Sequence, residues 1–327
     1  MKIFRNNVYI MCVGMLLSVC YLKSTCMEKC AWDKGQEVYT EYGEDTAGYI
    51  WTLYNTNPGS YTYDNTLEKN DSNNIRAMSF NIQRVKAEPE YSVWDQRPWF
   101  SEQRLWRATD VFTSFDPDIV CLQEIRPAMV EAFYYILPSK YRFAHRHDTT
   151  LCDTIPNAIL YNTDRLCVQD VNIFPIDLEK FRLIVKVEFC DMYTNKKLYV
   201  FNIHQSPYFK TMTKELQEKG FTILNEETQN LDAPYLILGD FNVDYATIAA
   251  ELPDTVSAYT GNRNSYISWD ASLQSLIDGI FIEKSTLQDA VSKSEIVVFD
   301  DEVDENGNIN QDARASDHRP LYADIQV

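Results

Sequence analysis

Basic residues are scarce in this chain. Its 327 residues include 30 Lys and Arg against 48 Asp and Glu, which gives a formal net charge of −18. Residues 75–327 alone carry 39 acidic and 24 basic residues, or −15, so the imbalance belongs to the main body of the chain. Non-specific nucleic-acid binding depends on Lys and Arg, which displace counterions from the phosphate backbone. A long polyanion is therefore disfavoured as a partner, although a local basic groove stays compatible with this composition.

Long apolar runs are also missing. The run from Val8 to Leu22 has 15 uncharged and mostly apolar residues, which is short for a membrane span. Lys2 and Arg5 precede it, as in a secretory signal. We therefore predict a signal peptide or N-terminal anchor over residues 1–25 and a secreted, periplasmic or cell-envelope location. Cys20 loosely matches a bacterial lipoprotein site, so a lipid anchor stays open as an alternative. A buried N-terminal helix is a second alternative for the same run.

Paired cysteines with metal-ligand spacing are absent from the body of the chain, where four of the eight cysteines, Cys121, Cys152, Cys167 and Cys190, are widely scattered. Cys121 and Cys190 fall in strand-like apolar runs and are interpreted as buried thiols. After export, disulfides can form in an oxidising compartment. The candidate pairs are Cys26 with Cys30 and Cys152 with Cys167.

Strand-like runs dominate what is present. They are Ile75–Ile82, Ile119–Leu122, Asn157–Tyr161, Phe181–Phe189, Leu198–Ile203, Tyr235–Leu238, Leu276–Ile282, Ile296–Phe299 and Leu321–Val327. Helical patterns run through Leu105 to Phe112, Pro127 to Leu137 and Thr211 to Glu227, and residues 239–269 look irregular. Many strands with few helices predict two packed sheets covered by helices. We assign residues 26–74 to a partly ordered lead-in and residues 75–327 to one domain, since no internal repeat appears.

Asp240 and Asn242 follow the apolar run P-Y-L-I-L-G with one residue between them. Because alternate side chains of an extended segment share a face, a carboxylate and a carboxamide leave this strand side by side. Such a pair can hold a hard cation, a phosphate oxygen or an attacking water. An ordinary Asn/Asp turn is the alternative interpretation.

Polar side chains stand in or at the ends of other apolar strands as well. They are Asn81, Glu124, His204, Asp278, Asp317 and His318. Most of these residues can also be interpreted as turn residues, helix caps or ordinary core residues. A buried carboxylate at Asp278 needs a partner, however, because an unpaired one is expensive to bury. Strand ends of a sandwich converge at one edge, so we predict one site there, which contains two of the four histidines.

Six ordered motifs make the sequence similar to the endonuclease/exonuclease/phosphatase superfamily, with its deoxyribonuclease I-like fold. The motifs are M-S-F-N-I, D-I-V-C-L-Q-E-I, F-N-I-H, L-I-L-G-D-F-N-V-D, L-I-D-G-I-F-I and S-D-H-R-P, and the resemblance covers about Ile75 to Val327. It implies an α+β fold, a four-layer α/β/β/α sandwich of two mixed sheets packed face to face with outer helices.

The resemblance also implies a cofactor. Asn81, Glu124 and Asp317 match the positions that hold a divalent cation in the family, with Mg²⁺ expected and Mn²⁺ as an alternative. Magnesium prefers hard oxygen ligands and keeps several waters, which suits such an open site. Bound there, the ion would polarise a phosphoryl oxygen.

The catalytic roles follow from the same resemblance. Asp240 and Asn242 would orient the attacking water or the phosphate. His318 would take the proton of the water or steady the pentavalent phosphorus, and Asp278 would hold the second nitrogen of His318. His204 would donate a hydrogen bond to a phosphate oxygen.

One position departs from the deoxyribonuclease-like pattern. Those members have a Glu that pairs with the histidine matched by His204, and the corresponding residue here is Ile155. Asp153 can take over that role only if the loop shifts. This change lies near substrate-contacting loops and bears on the substrate more than on the fold.

Three arginines are candidate phosphate-binding residues: Arg84, Arg142 and Arg146. Each can clamp a phosphate with two hydrogen bonds, and each also has a simple interpretation as a solvated surface residue.

The sequence thus predicts an exported, metal-dependent phosphoesterase acting on a small or lipid-derived phosphodiester or phosphomonoester. A secreted deoxyribonuclease-type endonuclease is the alternative, disfavoured by the net charge. A non-catalytic binding or toxin-like module on the same fold is a third hypothesis. A membrane surface is an expected partner if the substrate or the anchor is a lipid, and no protein partner is inferred.

Overall fold

The computed structural model describes residues 63, 67–69, 71–83, 98–125, 127–144, 157–177, 182–207, 211–268, 271–299, 302, 310 and 314–327. The predicted signal, most of the lead-in and several candidate residues lie outside these ranges. Those residues are Arg84, Arg146, Asp153 and Ile155, together with Cys26, Cys30 and Cys152.

Fourteen strands lie in the described residues. They are β1 Ile75–Asn81, β2 Ile119–Gln123, β3 Tyr141–Phe143, β4 Asn157–Asn162, β5 Leu166–Asp177, β6 Arg182–Asp191, β7 Lys196–His204, β8 Tyr235–Asp240, β9 Thr255–Ser257, β10 Tyr266–Ile267, β11 Gln274–Ser275, β12 Asp278–Glu283, β13 Val291–Ile296 and β14 Leu321–Ile325. One six-stranded sheet has the order β13-β14-β1-β2-β4-β3, and the other has the order β5-β6-β7-β8-β12-β9. Both sheets are mixed, because β1 runs parallel to β2 and β7 parallel to β8. β10 and β11 form a separate hairpin.

Helices cover the outer faces of both sheets. They are α1 Pro98–Phe115, α2 Pro127–Ile136, α3 Thr211–Thr228 and α4 Tyr245–Glu251, whereas Leu287 of the short helix α5 Lys284–Leu287 packs in the core between the sheets. Phe112 of α1 and Phe133 of α2 pack with the outward side chains of β1 and β2. Phe221 and Leu224 of α3 pack in the same way with those of β7 and β8. The layers are therefore α/β/β/α, and the predicted fold class is confirmed.

The main core lies between the sheets. Ala77 and Cys121 of the first sheet and Val200, Leu238 and Ile280 of the second are buried in one apolar cluster. Successive side chains of a strand point to opposite faces of the sheet, so one set faces the other sheet and the alternate set faces the helices. Cys121 is a buried free thiol, as predicted.

Gly239 permits the close approach of β7 and β8. A Cβ atom at this position would lie 1.9 Å from the carbonyl oxygen of Ile203. No larger residue fits there without moving one of the two strands. The glycine of the L-I-L-G-D-F-N motif therefore brings the end of β8 beside the end of β7.

The structure corrects some expected boundaries. The strand expected over Ile296–Phe299 is β13, which ends at Ile296 rather than beginning there. Residues 239–269 contain α4, β9 and β10 rather than irregular backbone alone. Cys190 is half-buried rather than buried.

Two buried arginines hold the lead-in at the end of the sandwich where β1 begins. Arg76 pairs with Asp324, 2.6 Å from Nε to Oδ1, and both side chains are fully buried. It also donates to the carbonyl oxygens of Leu67 and Glu68. Arg165 donates to the carbonyl oxygen of Asn74 at 2.6 Å. The last lead-in residues therefore pack as part of the fold. Among the described helices, none has the length and apolar character of a membrane span.

Candidate active site

Polar side chains replace apolar ones at one end of the inter-sheet core. On β8, the inward-facing residues run from Leu236 and Leu238 to Asp240. His204, Asp240 and Asp278 are direct neighbours across β7, β8 and β12. All three side chains are buried. The strands therefore deliver an imidazole and two carboxylates in one row at the same edge.

Asp240 is the centre of this cluster. Its Oδ2 accepts a hydrogen bond of 3.0 Å from Nδ2 of Asn81, which belongs to the other sheet. Its Oδ1 accepts from the backbone N–H of Asn242 at 2.9 Å. The Nε2 atoms of His204 and His318 lie 3.5 and 3.8 Å from Oδ2. The structure thus brings four other predicted residues to the carboxylate of Asp240.

His318 is held by Asp278. Its Nδ1 lies 2.7 Å from Oδ2 of Asp278, and both side chains are buried. Burial alone would lower the pKa of His318, but the carboxylates of Asp278, Asp240 and Asp317 outweigh it and raise the pKa to about 10. Nδ1 therefore carries the proton that it shares with Asp278, and Nε2 points toward Asp240.

At Asp240, burial shifts the pKa upward, whereas at His318 burial acts downward. Burial and, to a smaller extent, the charge of Asp278 raise the pKa of Asp240 to about 7, although His318 and Asn81 oppose this. A carboxyl group with a pKa near neutrality can both accept and release a proton at physiological pH.

The predicted metal ligands lie beside this row. Asn81 ends β1, and Glu124 follows β2 directly. Asp317 lies four residues before β14, which is the neighbour of β1 in the sheet. Burial raises the pKa of Asp317, and repulsion from Glu124 adds to this, although His318 and Arg104 oppose it. A cation between these carboxylates would relieve the repulsion, and carboxylate and carboxamide oxygens are the donors that Mg²⁺ prefers. The residues present therefore fit a hard divalent cation.

A second group of possible ligands consists of Asp240, Asp278 and His318, whose ligand atoms lie within 4.8 Å of one another. The short Asp278–His318 hydrogen bond already occupies one ring nitrogen. We interpret this group as an acid–histidine pair next to the candidate catalytic carboxylate rather than as the primary cation site.

Three site positions have left-handed backbone. Gln83, Glu124 and Asn242 have φ angles of 48°, 59° and 54°. Residues other than glycine adopt this region rarely, and such outliers concentrate at functional sites. Each of these residues follows the end of a strand, so the chain turns where its functional group is presented.

Arg182, at the start of β6, is a site residue that the sequence did not reveal. Its Nη1 lies 2.6 Å from Nδ1 and 2.7 Å from Nε2 of His204. A guanidinium only donates, so it can hydrogen-bond only a ring nitrogen that carries no proton. Where the deoxyribonuclease-like pattern has a glutamate beside this histidine, an arginine contacts it here.

Further unpredicted contacts organise the S-D-H-R-P loop. Ser316 Oγ donates to the carbonyl oxygen of Asn81 at 2.7 Å and accepts from the N–H of His318. Gln83 Nε2 donates to Asp317 Oδ2 at 3.1 Å. Arg104 of α1 donates to the carbonyl oxygens of Gln83 and Ala315. Ser316 lies inside a recognised motif, but Gln83 and Arg104 carry no local signal in the sequence.

The structure does not bring Arg142 to this cluster. It lies on the edge strand β3 opposite Tyr161, whereas the site end of β4 is Asn157. Its Nη1 donates to the carbonyl oxygen of its neighbour Tyr141. Arg84 and Arg146 lie outside the described residues.

A family model for the endonuclease/exonuclease/phosphatase family matches residues 78–318, a range that includes the whole acid–histidine row. The chain belongs to this family. No curated protein sequence matches the chain significantly. The family of phosphoesterases and nucleases thus accounts for the layered fold and for the cluster at one edge of it.

Solved structures with this family's fold match most of the chain. A humanized TDP2 from D. rerio with 14 mutations is 16% identical, covers 78% of this chain and 100% of its own, and has a TM-score of 0.61. A family protein from Bacteroides vulgatus is 20% identical over 78% and 99%, with a TM-score of 0.60. A mannosyl-6-phosphatase from Bacteroides thetaiotaomicron is 19% identical over 76% and 98%, with a TM-score of 0.58. At these identities the likeness shows the fold alone.

Proposed function

We propose that the protein is a Mg²⁺-dependent phosphoesterase that hydrolyses a small or lipid-derived phosphodiester or phosphomonoester by in-line attack of water. The observation that carries this proposal is the Asp240–His318–Asp278 arrangement beside the oxygen donors of Asn81, Glu124 and Asp317. Membership of a phosphoesterase family and the likeness to a mannosyl-6-phosphatase support it.

Each residue has a chemical role in this proposal. Asp240 accepts a proton from the attacking water, because burial raises its pKa to about 7. Asn242 orients the water or a phosphate oxygen. His318, protonated at Nδ1 and held by Asp278, stabilises charge that develops on the phosphoryl group. His204 and Arg182 bind a non-bridging oxygen from the other side.

Asn81, Glu124 and Asp317 would hold the cation. Bound there, Mg²⁺ supplies Lewis-acid stabilisation of charge on the phosphoryl and leaving-group oxygens. Mn²⁺, which also accepts oxygen ligands, is the alternative cation.

A secreted endonuclease is the second candidate. The observation that favours it is the likeness to a TDP2 from D. rerio whose crystal structure contains a single-strand DNA product. The net charge of −18 argues against it, because nucleic-acid affinity rests on positive charge. Salt dependence separates the two candidates, since DNA binding weakens steeply with added salt.

Export remains part of the proposal. Cys167 is disulfide-bonded in the structure, and disulfides persist in oxidising compartments outside the cytosol. This supports a secreted, periplasmic or cell-envelope location. A lipid anchor is an alternative form of export, and a membrane surface is a partner if the substrate or the anchor is a lipid.

The test is hydrolysis of a substrate panel with Mg²⁺. The panel contains p-nitrophenyl phosphate, bis-p-nitrophenyl phosphate, sugar phosphates, inositol phosphates, sphingomyelin, nucleotides and DNA. His318→Ala is the inactive control, and Asp289→Asn, at an exposed position, is the matched active control. A wild type as inactive as His318→Ala on every substrate would show that the hydrolase proposal is wrong.

A further inference from the structure

Within the described residues, three hydrogen bonds between one side chain and another join the two sheets at the site. Asn81 binds Asp240, and His318 binds Asp278. The third link joins Gln123 of β2 to Asn202 of β7, with Nε2 of Gln123 2.8 Å from Oδ1 of Asn202. The first two links are made by candidate catalytic residues. The third is made by two amides to which no chemical step has been assigned.

The third link, here termed the inter-sheet clasp, is tightly defined. Asn202 Nδ2 donates to the carbonyl oxygens of Leu122 and Ala158, both at 2.9 Å. Gln123 Nε2 also donates to the carbonyl oxygen of Cys121 at 3.0 Å. Gln123 and Asn202 are fully buried. One side chain of the second sheet therefore binds the backbones of two strands of the first sheet.

The clasp lies directly beneath the candidate catalytic residues. Gln123 is a register neighbour of Asn81 on β1 and immediately precedes Glu124. Asn202 is two residues before His204 on β7, so both side chains face the other sheet. Each member of the clasp is thus attached to a different half of the site.

Stability alone does not account for these amides. Oε1 of Gln123 and Oδ1 of Asn157, its neighbour across β2 and β4, are buried and accept no hydrogen bond within the described part of the chain. Buried polar groups that are only partly satisfied are unfavourable, and a well-packed apolar pair could join two sheets without that penalty. What the amides add is a fixed direction and distance, which apolar contacts define poorly.

We propose that Gln123 and Asn202 are positioning residues that set the separation between the two halves of the active site. One half carries Asn81, Glu124 and Asp317. The other carries His204, Asp240 and Asp278. The inference rests on the proposed hydrolase function and assigns these two amides to aligning its halves.

The test uses Gln123→Met, Asn202→Leu and the double variant. We measure unfolding by denaturant, kcat and KM on the best substrate, and the rise in Tm that Mg²⁺ produces. Each single variant is expected to lose stability, because it leaves a buried partner unpaired, and the double variant should recover part of that loss. We expect kcat to stay about 100-fold low in all three, as small misplacements of reacting groups cause. The rise in Tm with Mg²⁺ should be retained, because Asn81, Glu124 and Asp317 belong to one half.

Val200→Ala is the matched control. Val200 lies two residues before Asn202 on the same inward face, in the apolar part of the core. Its truncation should lower stability and leave kcat per folded molecule unchanged. If the clasp had only a structural role, its variants would likewise lose stability and keep their kcat per folded molecule. The proposal would therefore be overturned if kcat recovered together with stability in the double variant, or if every variant kept the wild-type kcat.

Failure of the proposed function gives a different result. If the wild type hydrolyses nothing in the panel, the hydrolase proposal fails, and a crystal structure of the double variant then decides on the clasp. The positioning role requires that Asn81 and Asp240, or His318 and Asp278, move beyond hydrogen-bond distance. Unchanged contacts at both pairs would show that the clasp positions nothing.

Discussion

His318 and Asp278 lie 40 residues apart in the chain, and their side chains meet through a hydrogen bond of 2.7 Å between Nδ1 and Oδ2. The carboxylate sets which nitrogen of the ring carries the proton and directs Nε2 toward Asp240. Backbone contacts fix the carboxylate in turn, because Asp278 donates its N–H to Ser265 Oγ at 3.1 Å. The orientation of the imidazole is therefore determined by the fold before any substrate binds.

Replacing Asp278 by Asn should lower kcat by up to about 10⁴-fold, the loss seen when the histidine-orienting carboxylate of a serine protease is replaced by an amide. The amide cannot stabilise the imidazolium. Steady-state kinetics measure the loss, and circular dichroism checks that the fold is intact. Asp289→Asn, at an exposed position, is the control and should keep full activity. A folded Asp278→Asn protein with wild-type kcat would contradict the assigned role.

Gly220→Ala should destabilise the protein, against the usual preference of helices for alanine, which favours Ala by about 1 kcal/mol. The added Cβ would lie 2.4 Å from Nε2 of Gln205, a side chain that is fully buried and cannot move away freely. We expect a net loss of about 1–3 kcal/mol in the free energy of unfolding, as for other overpacked positions. Denaturant unfolding measures it.

The same substitution should also lower activity, because the carbonyl oxygen of Gln205 accepts a hydrogen bond of 2.9 Å from Nδ2 of Asn242. Glu215→Ala, at an exposed position of α3, is the control for an added alanine without a steric conflict and should change stability little, because Glu is already a good helix former. If Gly220→Ala stabilised the protein, the proposed steric conflict would be refuted.

Arg182→Gln should reduce kcat/KM about 10–100-fold, the value of one or two hydrogen bonds to a charged group. The guanidinium that contacts both ring nitrogens of His204 would be lost. Arg182→Lys keeps the charge but not the planar fork, so partial activity is expected. Kinetics on phosphomonoester and phosphodiester substrates test this, and identical values for all three proteins would exclude Arg182 from the site.

Chelation of divalent cations should abolish activity and lower Tm, because a ligand that binds only the folded state stabilises it. Mg²⁺ should restore both. Glu124→Gln should need at least tenfold more Mg²⁺ for half of the Tm increase, since it removes one ligand charge. Full activity in the presence of excess chelator would rule out the metal dependence.

Asp116→Asn should destabilise the protein at neutral pH but not in acid. Burial raises the pKa of Asp116, but its contacts with Lys140 and Tyr141 outweigh this and lower it below the ordinary value. A depressed carboxylate pKa stabilises the folded state above the unfolded-state value of about 3.9, and this contribution disappears as the pH falls through the folded-state pKa. Because the side chain is half exposed, we expect about 0.2–1 kcal/mol at pH 7.

Asn suits this position, because Asp116 has a left-handed φ of 47° that asparagine tolerates well. Thermal unfolding of both proteins from pH 7 down to pH 2 tests the effect. A difference in Tm that did not shrink below pH 4 would mean that charge is not its cause.

The sequence predicted the strands that are buried along their whole length. β1, β2, β4 and β8 have no exposed residue, and each was recognised as an apolar run. β5 was missed, because it lies at a sheet edge, carries mostly half-buried and exposed residues and contains Pro175. α4 was missed because it has only seven residues, with Asp244 as N-cap and one buried side chain, Ile248.

The site was predictable where its residues end recognisable strands. Asp240 and His204 were placed in this way, and the register of β7 and β8 brings them side by side. Gln83 and Arg182 could not be found, because nothing local marks them. Their importance arises from contacts with residues distant in the chain, Asp317 and His204, which are 234 and 22 residues away.

The left-handed backbone at Gln83, Glu124 and Asn242 has a consequence for protein design. A graft of this site onto another sandwich would need the three turns as well as the side chains, because straight strand ends would aim the same groups elsewhere. Each turn costs about 1 kcal/mol or more in a residue other than glycine. The host sandwich must therefore be stable enough to accept all three at once.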